Sequence, residues 1–289
     1  LSRPQSALLN RTDVEVSAYR PTPVAWFEEG RRRETAYADL AELAAAVGSA
    51  PTGWSARWLR ADAAVREALE AVLTTHEAST GRLTGSTLAA TVWDSATGPL
   101  VLGSSRPIRD MDLMADPPAA DGRRVFANRG LAGIDGTIAT ASGVALGSGT
   151  TAGERTLALM GDVTFLHDVG GLLTPSDEQV PDLDVIVAQD DGGSIFSTLE
   201  HGSVGTYPQY ERAVDRFFRT PHGLSAAPIA AAYGWETSTA STRSDVAEWI
   251  EAGRGTQGRR LLEVAVEADD PRGLHAALAA AAQGVLGKS

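Results

Sequence analysis

MGDVTFLHDVGGLL, residues 160–173, contains the feature that decides the fold: an apolar segment typical of a strand runs into Gly161-Asp162 and then into a helix. The same order returns in VIVAQDDGGSIF, residues 185–196, where an apolar segment meets Asp190 and the residues up to Gly193. We call residues 161–162 the first acidic turn and residues 190–193 the second. Continuous apolar strands that alternate with helices indicate a parallel sheet covered on both faces. The prediction is a doubly wound, mostly parallel α/β domain.

The regular alternation begins at Trp54 and continues to the end of the chain. We predict strands at 99–105, 124–128, 156–162, 183–190 and 260–267, and helices from Trp54 to about His76 and at 85–96, 136–147, 164–173, 225–234, 244–253 and 271–284. Residues 1–50 contain one strand candidate (from Val14) and one helix candidate (from Tyr37), which cannot bury a core alone, and GSAPTG at 48–53 is typical of a linker. Residues 1–50 are therefore expected to be the end of a domain that begins upstream, and 54–289 a second domain.

Bulk composition excludes several classes of function. The 289 residues carry a net charge of −12, which argues against a nucleic-acid surface because phosphate backbones require a basic field. The absence of cysteine excludes disulfides and thiolate metal sites, and it fits a cytoplasmic location. No apolar run approaches the ~18 residues of a membrane-spanning helix, so no integral membrane segment is predicted.

The two acidic turns predict a metal and diphosphate site. In doubly wound sheets, ligands bind outside the carboxyl ends of the strands, where both turns are expected. The first N–H groups of the helix after Asp162, near Val163 and Thr164, favour an anion. Mg²⁺ takes oxygens from carboxylates, phosphates and water, and Asp162, Asp190 and the Gly192 carbonyl could supply three of them. The alternative is that Asp162 caps the helix and the second turn is only polar.

Four motifs carry a resemblance to a known family. They are SSRPIRDMDL (104–113), NRGLAGIDGTIATASGVALG (128–147), GDVTFLHDVGGLL (161–173) and DDGGSIFSTLE (190–200). Together they resemble the 2-succinyl-5-enolpyruvyl-6-hydroxy-3-cyclohexene-1-carboxylate (SEPHCHC) synthase family of menaquinone biosynthesis, within the thiamine diphosphate enzyme superfamily. The NRG-x-x-GIDG element is the most specific, and the resemblance covers essentially the whole chain. It implies that residues 1–50 end the family's central domain and that 54–289 form its diphosphate-binding domain.

The resemblance also implies roles for individual residues. Metal ligands would be Asp162, Asp190 and the Gly192 carbonyl, with Mg²⁺ as the ion and Mn²⁺ as a possible substitute. The cofactor thiamine diphosphate would be contacted by a set that runs along the motifs: Ser105, Ile134, Gly161, Asp162, Val163, Thr164, Ile195, Phe196 and Leu199. Within this set, Ile134 would support the bent cofactor. Arg109 and Arg129 would meet substrate carboxylates, although without the resemblance a surface ion pair of Arg109 with Asp110 or Asp112 is the simpler interpretation.

The implied reaction is decarboxylation of 2-oxoglutarate followed by 1,4-addition of the succinyl carbanion equivalent to isochorismate, in a cytoplasmic homodimer or homotetramer. This sequence departs from the family pattern in two respects. Many family members carry Asn where Asp190 stands. The glutamate that activates the cofactor belongs to an N-terminal domain, and no residue here matches it, because Glu28, Glu29 and Glu34 lie in a basic stretch expected to be solvated. We therefore expect a C-terminal fragment without catalytic competence alone.

Other interpretations remain open at the level of sequence. Another thiamine-dependent carboligase or decarboxylase is one, and a non-catalytic module that binds a diphosphate or mediates subunit contact is another. The segment 202–218 shows little periodicity and is expected to be a mobile flap. His201, His222 and His275 lie in separate segments without metal-ligand spacing, so no role is assigned to them.

Overall fold

The computed structural model describes residues 3–22, 34–116, 122–128, 133–148, 154–268 and 271–287. The chain divides into two compact units, Leu1–Arg60 and Ala61–Ser289. The first unit contains helices α1 (Arg3–Leu9) and α2 (Leu40–Val47) and a parallel pair of strands, β1 (Val16–Tyr19) and β2 (Glu34–Tyr37). The assignment of residues 1–50 to the end of a central domain stays a prediction.

One expectation for the first unit is wrong. Glu34 is not a solvated loop residue: it opens strand β2, its side chain is only 4% exposed, and it forms an ion pair with Arg20. Strand formation explains the burial, because β2 pairs with β1 and turns this side chain inward. Glu28 and Glu29 lie outside the described residues.

The second unit is built on a six-stranded sheet in which every pair of neighbours is parallel. Its strands are β3 (Leu100–Leu102), β4 (Val125–Ala127), β5 (Thr156–Gly161), β6 (Leu183–Gln189), β7 (Glu236–Ala240) and β8 (Arg259–Ala265). They are ordered β4-β3-β5-β6-β8-β7. The predicted doubly wound parallel fold is confirmed.

Helices cover both faces of this sheet. Buried residues of α4 (Gly85–Ser95), α5 (Arg106–Met114) and α12 (Arg243–Ala252) pack on one face, and those of α6 (Thr137–Gly147), α7 (Asp162–His167) and α11 (Ala226–Ala232) pack on the other. The remaining helices are α3 (Trp54–Thr80), α8 (Ile195–Thr198), α9 (Glu200–Gly205), α10 (Pro208–Val214) and α13 (Pro271–Leu286). Alternate residues of β5 point to opposite faces: Leu157 and Leu159 join one buried cluster, while Ala158 and Met160 join the other. Both faces are therefore buried, which is why this strand is a continuous apolar run.

Three elements differ from the sequence expectation. Strand β7 (ETSTA) was not predicted, because its residues are polar and give no strand pattern. It lies at the edge of the sheet, and its pairing with β8 holds it in the strand conformation. Segment 202–218 is helical: it holds the end of α9, all of α10 and most of a π-helical turn, Asp215–Arg219. The motif at 104–113 contains helix α5, which begins at Arg106 with a proline in its first turn.

The strand order also locates the crevice. From β3 the chain moves to the edge strand β4 and then returns to β5 on the other side of β3. The reversal lies between β3 and β5, and ligands of doubly wound sheets bind at the carboxyl ends of strands at such a point. Ser105 follows β3 and Asp162 follows β5, so both residues lie at this edge of the sheet.

Candidate functional site

Asp162 is the centre of the site. It is the first residue of α7, immediately after β5, and it is only 2% exposed. Its Oδ1 accepts the adjacent N–H of Val163 at 2.6 Å. Its Oδ2 accepts main-chain N–H groups of the second acidic turn, from Gly192 at 3.0 Å and from Asp190 at 3.3 Å. The residue that caps α7 is Gly161, so helix capping does not explain this carboxylate.

The second acidic turn is held against Asp162 by its backbone conformation. Asp191 and Gly192 both have positive φ, 56° and 128°. A Cβ on Gly192 would lie 2.2 Å from the carbonyl oxygen of Arg219, so only glycine fits there. The N–H of Gly193 donates to the same carbonyl at 2.7 Å. The structure thus brings the two acidic turns together, as neighbouring parallel strands require.

The two carboxylates of the site are poorly neutralised. Burial raises the pKa of Asp190 to about 7, and the nearby charge of Asp162 adds to the rise; a hydrogen bond from Ser194 to Asp190 opposes it. Burial also raises the pKa of Asp162, against the lowering effect of the N–H groups of Gly192 and Val163. Asp162 is buried and Asp190 is half-buried, and the charge of the first disfavours ionisation of the second; a divalent cation would stabilise both carboxylates.

A histidine missed by the sequence reasoning lies beside Asp162. Nε2 of His222 is 3.2 Å from Oδ2 of Asp162, and its side chain is only 14% exposed. His222 follows the π-helical turn and lies 60 residues after Asp162, so no spacing rule could have linked them. The usable signal was the PHG sequence at 221–223, which predicts a turn directly before helix α11.

The roles predicted for Arg109 and Arg129 stay predictions. Arg109 is exposed, and its guanidinium donates to the carbonyl of Ser105, the residue directly before α5. Arg106 is the residue that pairs with Asp110, at 3.5 Å, so the alternative pair of Arg109 with Asp110 is not the one formed. Ser105 has a positive φ of 77° where β3 turns into α5. Arg129 lies outside the described residues.

The remaining predicted residues surround the same edge of the sheet. Thr164 and Ile195 are buried, and Ile134, Val163, Phe196 and Leu199 are half-buried. The ring of Phe196 packs against those of His201 and Phe218, with centroids 5.9 and 5.5 Å away. These positions are compatible with contact to a cofactor, but their roles stay predictions.

Comparison with known proteins gives the family. Residues 113–264 match the family described as thiamine pyrophosphate enzyme, C-terminal TPP binding domain. The chain belongs to this family. The match includes both acidic turns and strands β4 to β7 with most of β8.

The curated relatives of this chain are named more specifically than the family is. The chain is 47% identical over its whole length to the SEPHCHC synthase of Paenarthrobacter aurescens, and it covers 49% of that protein. It is 46% identical over 99% of its length to the SEPHCHC synthase of Renibacterium salmoninarum, again covering 49%. The chain thus spans about half the length of the curated relatives that it matches, and the resemblance seen in the sequence is confirmed.

One solved structure has the same fold as the domain described here. The benzoylformate decarboxylase of Polynucleobacter necessarius superposes with a TM-score of 0.52 at 18% identity, over 65% of this chain and 34% of that one. At this level of identity the comparison supports the fold alone.

The part of the chain that the structure describes shows neither a membrane span nor a metal site made of side chains alone. No helix in that part is both long and apolar enough to cross a membrane. No three His, Asp or Glu side chains in the described ranges form a group that could hold a metal. A metal at the acidic turns would therefore need oxygens from the main chain and from a ligand as well as from side chains.

Proposed function

We propose that this chain is the diphosphate-binding part of a SEPHCHC synthase, and that it holds thiamine diphosphate and Mg²⁺ between its two acidic turns. The observation that carries this proposal is the pair of hydrogen bonds from the N–H groups of Asp190 and Gly192 to the carboxylate of Asp162. They bring the ends of β5 and β6 together at the edge where such sheets bind ligands. Family membership and the names of the curated relatives support the same assignment.

The donor set fits a hard divalent cation. Asp162 and Asp190 provide carboxylate oxygens, which Mg²⁺ prefers, and the Gly192 carbonyl lies in the same turn. A cation would offset the burial and the repulsion from Asp162 that together raise the pKa of Asp190. Mn²⁺ has the same preference for oxygen and could replace Mg²⁺. Val163 and Thr164 would then contact the diphosphate.

When bound, thiamine diphosphate supplies the nucleophilic carbon that allows a 2-oxo acid to lose carbon dioxide. The residues of this chain would bind and orient. Ile134, Ile195, Phe196 and Leu199 would shield the reacting centre from water with their apolar side chains, and Ser105 would contact the cofactor at the end of β3. The exposed Arg109, together with Arg129, would bind the carboxylates of 2-oxoglutarate and isochorismate, because a planar guanidinium can bind a carboxylate through two hydrogen bonds.

The proposal includes the rest of the protein. The relatives are about twice as long, so a further domain of the same protein would supply the activating glutamate, and this chain alone would not turn over substrate. A cytoplasmic homodimer or homotetramer belongs to the same proposal. Measurable product formation from 2-oxoglutarate and isochorismate by the purified chain would contradict the expected inactivity.

Calorimetry with thiamine diphosphate tests the binding function. Titrations of the chain are run with Mg²⁺ and with a chelator, and then repeated on Asp162→Ala. Asp177→Ala is the matched control, because it removes the same charge from an exposed position. We expect binding that requires Mg²⁺, is lost in Asp162→Ala and is unchanged in Asp177→Ala. Binding indifferent to both metal and Asp162 would instead indicate a non-catalytic diphosphate-binding module.

A further inference from the structure

The loop that carries His222 is built to hold its imidazole ring against Asp162. Oδ1 of Asp191 accepts the main-chain N–H groups of His222 at 3.1 Å and of Gly223 at 2.7 Å. Thr220 and Gly223 both have positive φ, which turns the chain sharply on either side of the ring. The loop is therefore fixed to the second acidic turn, and the ring lies over the first.

Hydrogen bonding assigns the tautomer of this ring. Nδ1 of His222 accepts the N–H of Leu224 at 3.0 Å, so Nδ1 must carry a lone pair. In a neutral imidazole the proton then resides on Nε2. That nitrogen is buried, and no described residue offers it a partner in good hydrogen-bond geometry. Oδ2 of Asp162, 3.2 Å away, is an acceptor within range, whereas the 3.6 Å from Nδ1 to Asp191 is too long.

The two oxygens of Asp162 consequently have different surroundings. Oδ2 accepts the N–H groups of Asp190 and Gly192, and Nε2 of His222 lies 3.2 Å from it. The hydrogen bond described for Oδ1 comes from the adjacent Val163. We infer that His222 is a positioning residue that fixes Oδ2 of Asp162 and thereby leaves Oδ1 to take the divalent cation. This inference rests on the proposed function and assigns a division of roles within its metal site.

The tautomer is testable without any metal. Long-range ¹H–¹⁵N correlation spectra of the imidazoles distinguish Nε2–H from Nδ1–H, and the signals of His222 are identified by their loss in His222→Gln. We expect the Nε2–H form in the metal-free chain. An Nδ1–H form would overturn the inference, because the ring could then not donate to Asp162.

Metal affinity tests the positioning role. Mn²⁺ binding is measured by electron paramagnetic resonance at saturating thiamine diphosphate for the unmodified chain, His222→Ala, His222→Gln and the exposed control His275→Gln. Loss of a residue that orients a metal ligand weakens metal binding about 10–100-fold, which is the change expected for His222→Ala. His222→Gln should recover most of this loss, since its amide N–H can still donate, and His275→Gln should bind as the unmodified chain does.

The outcomes separate this inference from the function on which it rests. Equal Mn²⁺ affinity in His222→Ala and the unmodified chain would overturn the role of His222 and leave the metal site intact. Absence of Mn²⁺-dependent cofactor binding in the unmodified chain would overturn both. A weakening equal in the Ala and Gln variants would indicate a packing role for the ring and would also contradict the inference.

Discussion

The main-chain N–H of Gly192 donates to Oδ2 of Asp162, and this bond joins the ends of two neighbouring strands that are separated by a helix and a loop in the sequence. The bond exists because Gly192 adopts a φ of 128°, which a residue with a side chain rarely adopts. The carbonyl of Arg219 occupies the space where a side chain would begin. The conformation of this glycine therefore directs its N–H toward the carboxylate of Asp162.

Gly192→Ala is expected to disrupt this arrangement. The new Cβ would meet the Arg219 carbonyl at 2.2 Å, and the backbone would be strained in addition. We expect a loss of at least about 2 kcal/mol in the free energy of unfolding, together with loss of metal-dependent cofactor binding. Urea unfolding and calorimetry measure the two effects.

Gly284→Ala is the matched control for that substitution. Gly284 lies in α13, and a Cβ there would meet nothing within 4 Å. Because glycine disfavours helix interiors, this variant should be more stable by about 0.5–1 kcal/mol. Equal destabilisation of both variants would contradict the role given to Gly192.

The fold was predictable because its core strands have a strong signal. The β5 and β6 segments are buried on both faces and are apolar throughout, so their composition indicates a parallel sheet. Strand β7 had no such signal, since its polar residues are ordered by pairing with β8. Helices α9 and α10 are short and largely exposed, and neither has the apolar stripe from which an amphipathic helix can be predicted.

Only the site residues that directly follow a strand could be predicted from the sequence. Asp162 and Asp190 follow β5 and β6 directly, so parallel geometry alone places them at one edge. His222 reaches the same place through a loop whose path depends on Asp191 and on two positive φ angles. Long-range loop closure of this kind leaves no periodic signal in the sequence.

Asp190 should make the stability of the metal-free chain depend on pH. Its pKa in the folded chain, about 7, lies above its ordinary value near 3.8, so the folded state binds the proton more tightly than the unfolded state does. The contribution to stability is complete below pH 3.8 and is lost as pH rises to about 7. In Asp190→Asn this loss should be absent, so the variant gains stability relative to the unmodified chain between pH 4 and pH 8.

Urea unfolding across that pH range, in the presence of a chelator, checks this expectation. Asp112→Asn, an exposed change of the same kind in α5, should leave the slope of stability against pH unaltered. Parallel pH profiles for Asp190→Asn and the unmodified chain would contradict the prediction.

Asp184 is expected to be essential for the stability of the sheet. It lies in β6 between two buried arginines, with Oδ1 2.8 Å from Nε of Arg155 and Oδ2 2.6 Å from Nη2 of Arg260, and all three side chains are less than 10% exposed. Removal of the acid would leave two buried cations close together. We expect Asp184→Ala to cost about 3–5 kcal/mol.

An exposed ion pair provides the control for Asp184. Asp62 pairs with Arg66 at 3.0 Å across one turn of α3, and its side chain is 52% exposed. Solvent screens such pairs, so Asp62→Ala should cost less than about 1 kcal/mol. Denaturant unfolding of both variants measures the difference, and similar losses would show that burial does not control the contribution of Asp184.

Substitution of Arg106 should lower the stability of the chain, whereas substitution of Arg109 should weaken substrate binding. Arg106 lies 3.5 Å from the buried carboxylate of Asp110 and 3.5 Å from Oγ of Ser194, whereas Arg109 is exposed and contacts only its own helix among the hydrogen bonds described. Arg106→Ala leaves a buried acid without its cation and should cost roughly 1–3 kcal/mol. Arg109→Ala should stay within about 0.5 kcal/mol of the unmodified chain. In a chain extended to the full length of the curated relatives, Arg109→Ala should raise the substrate concentration required far more than the cofactor concentration required. An equal rise in both would contradict the proposed contact of Arg109 with substrate carboxylates.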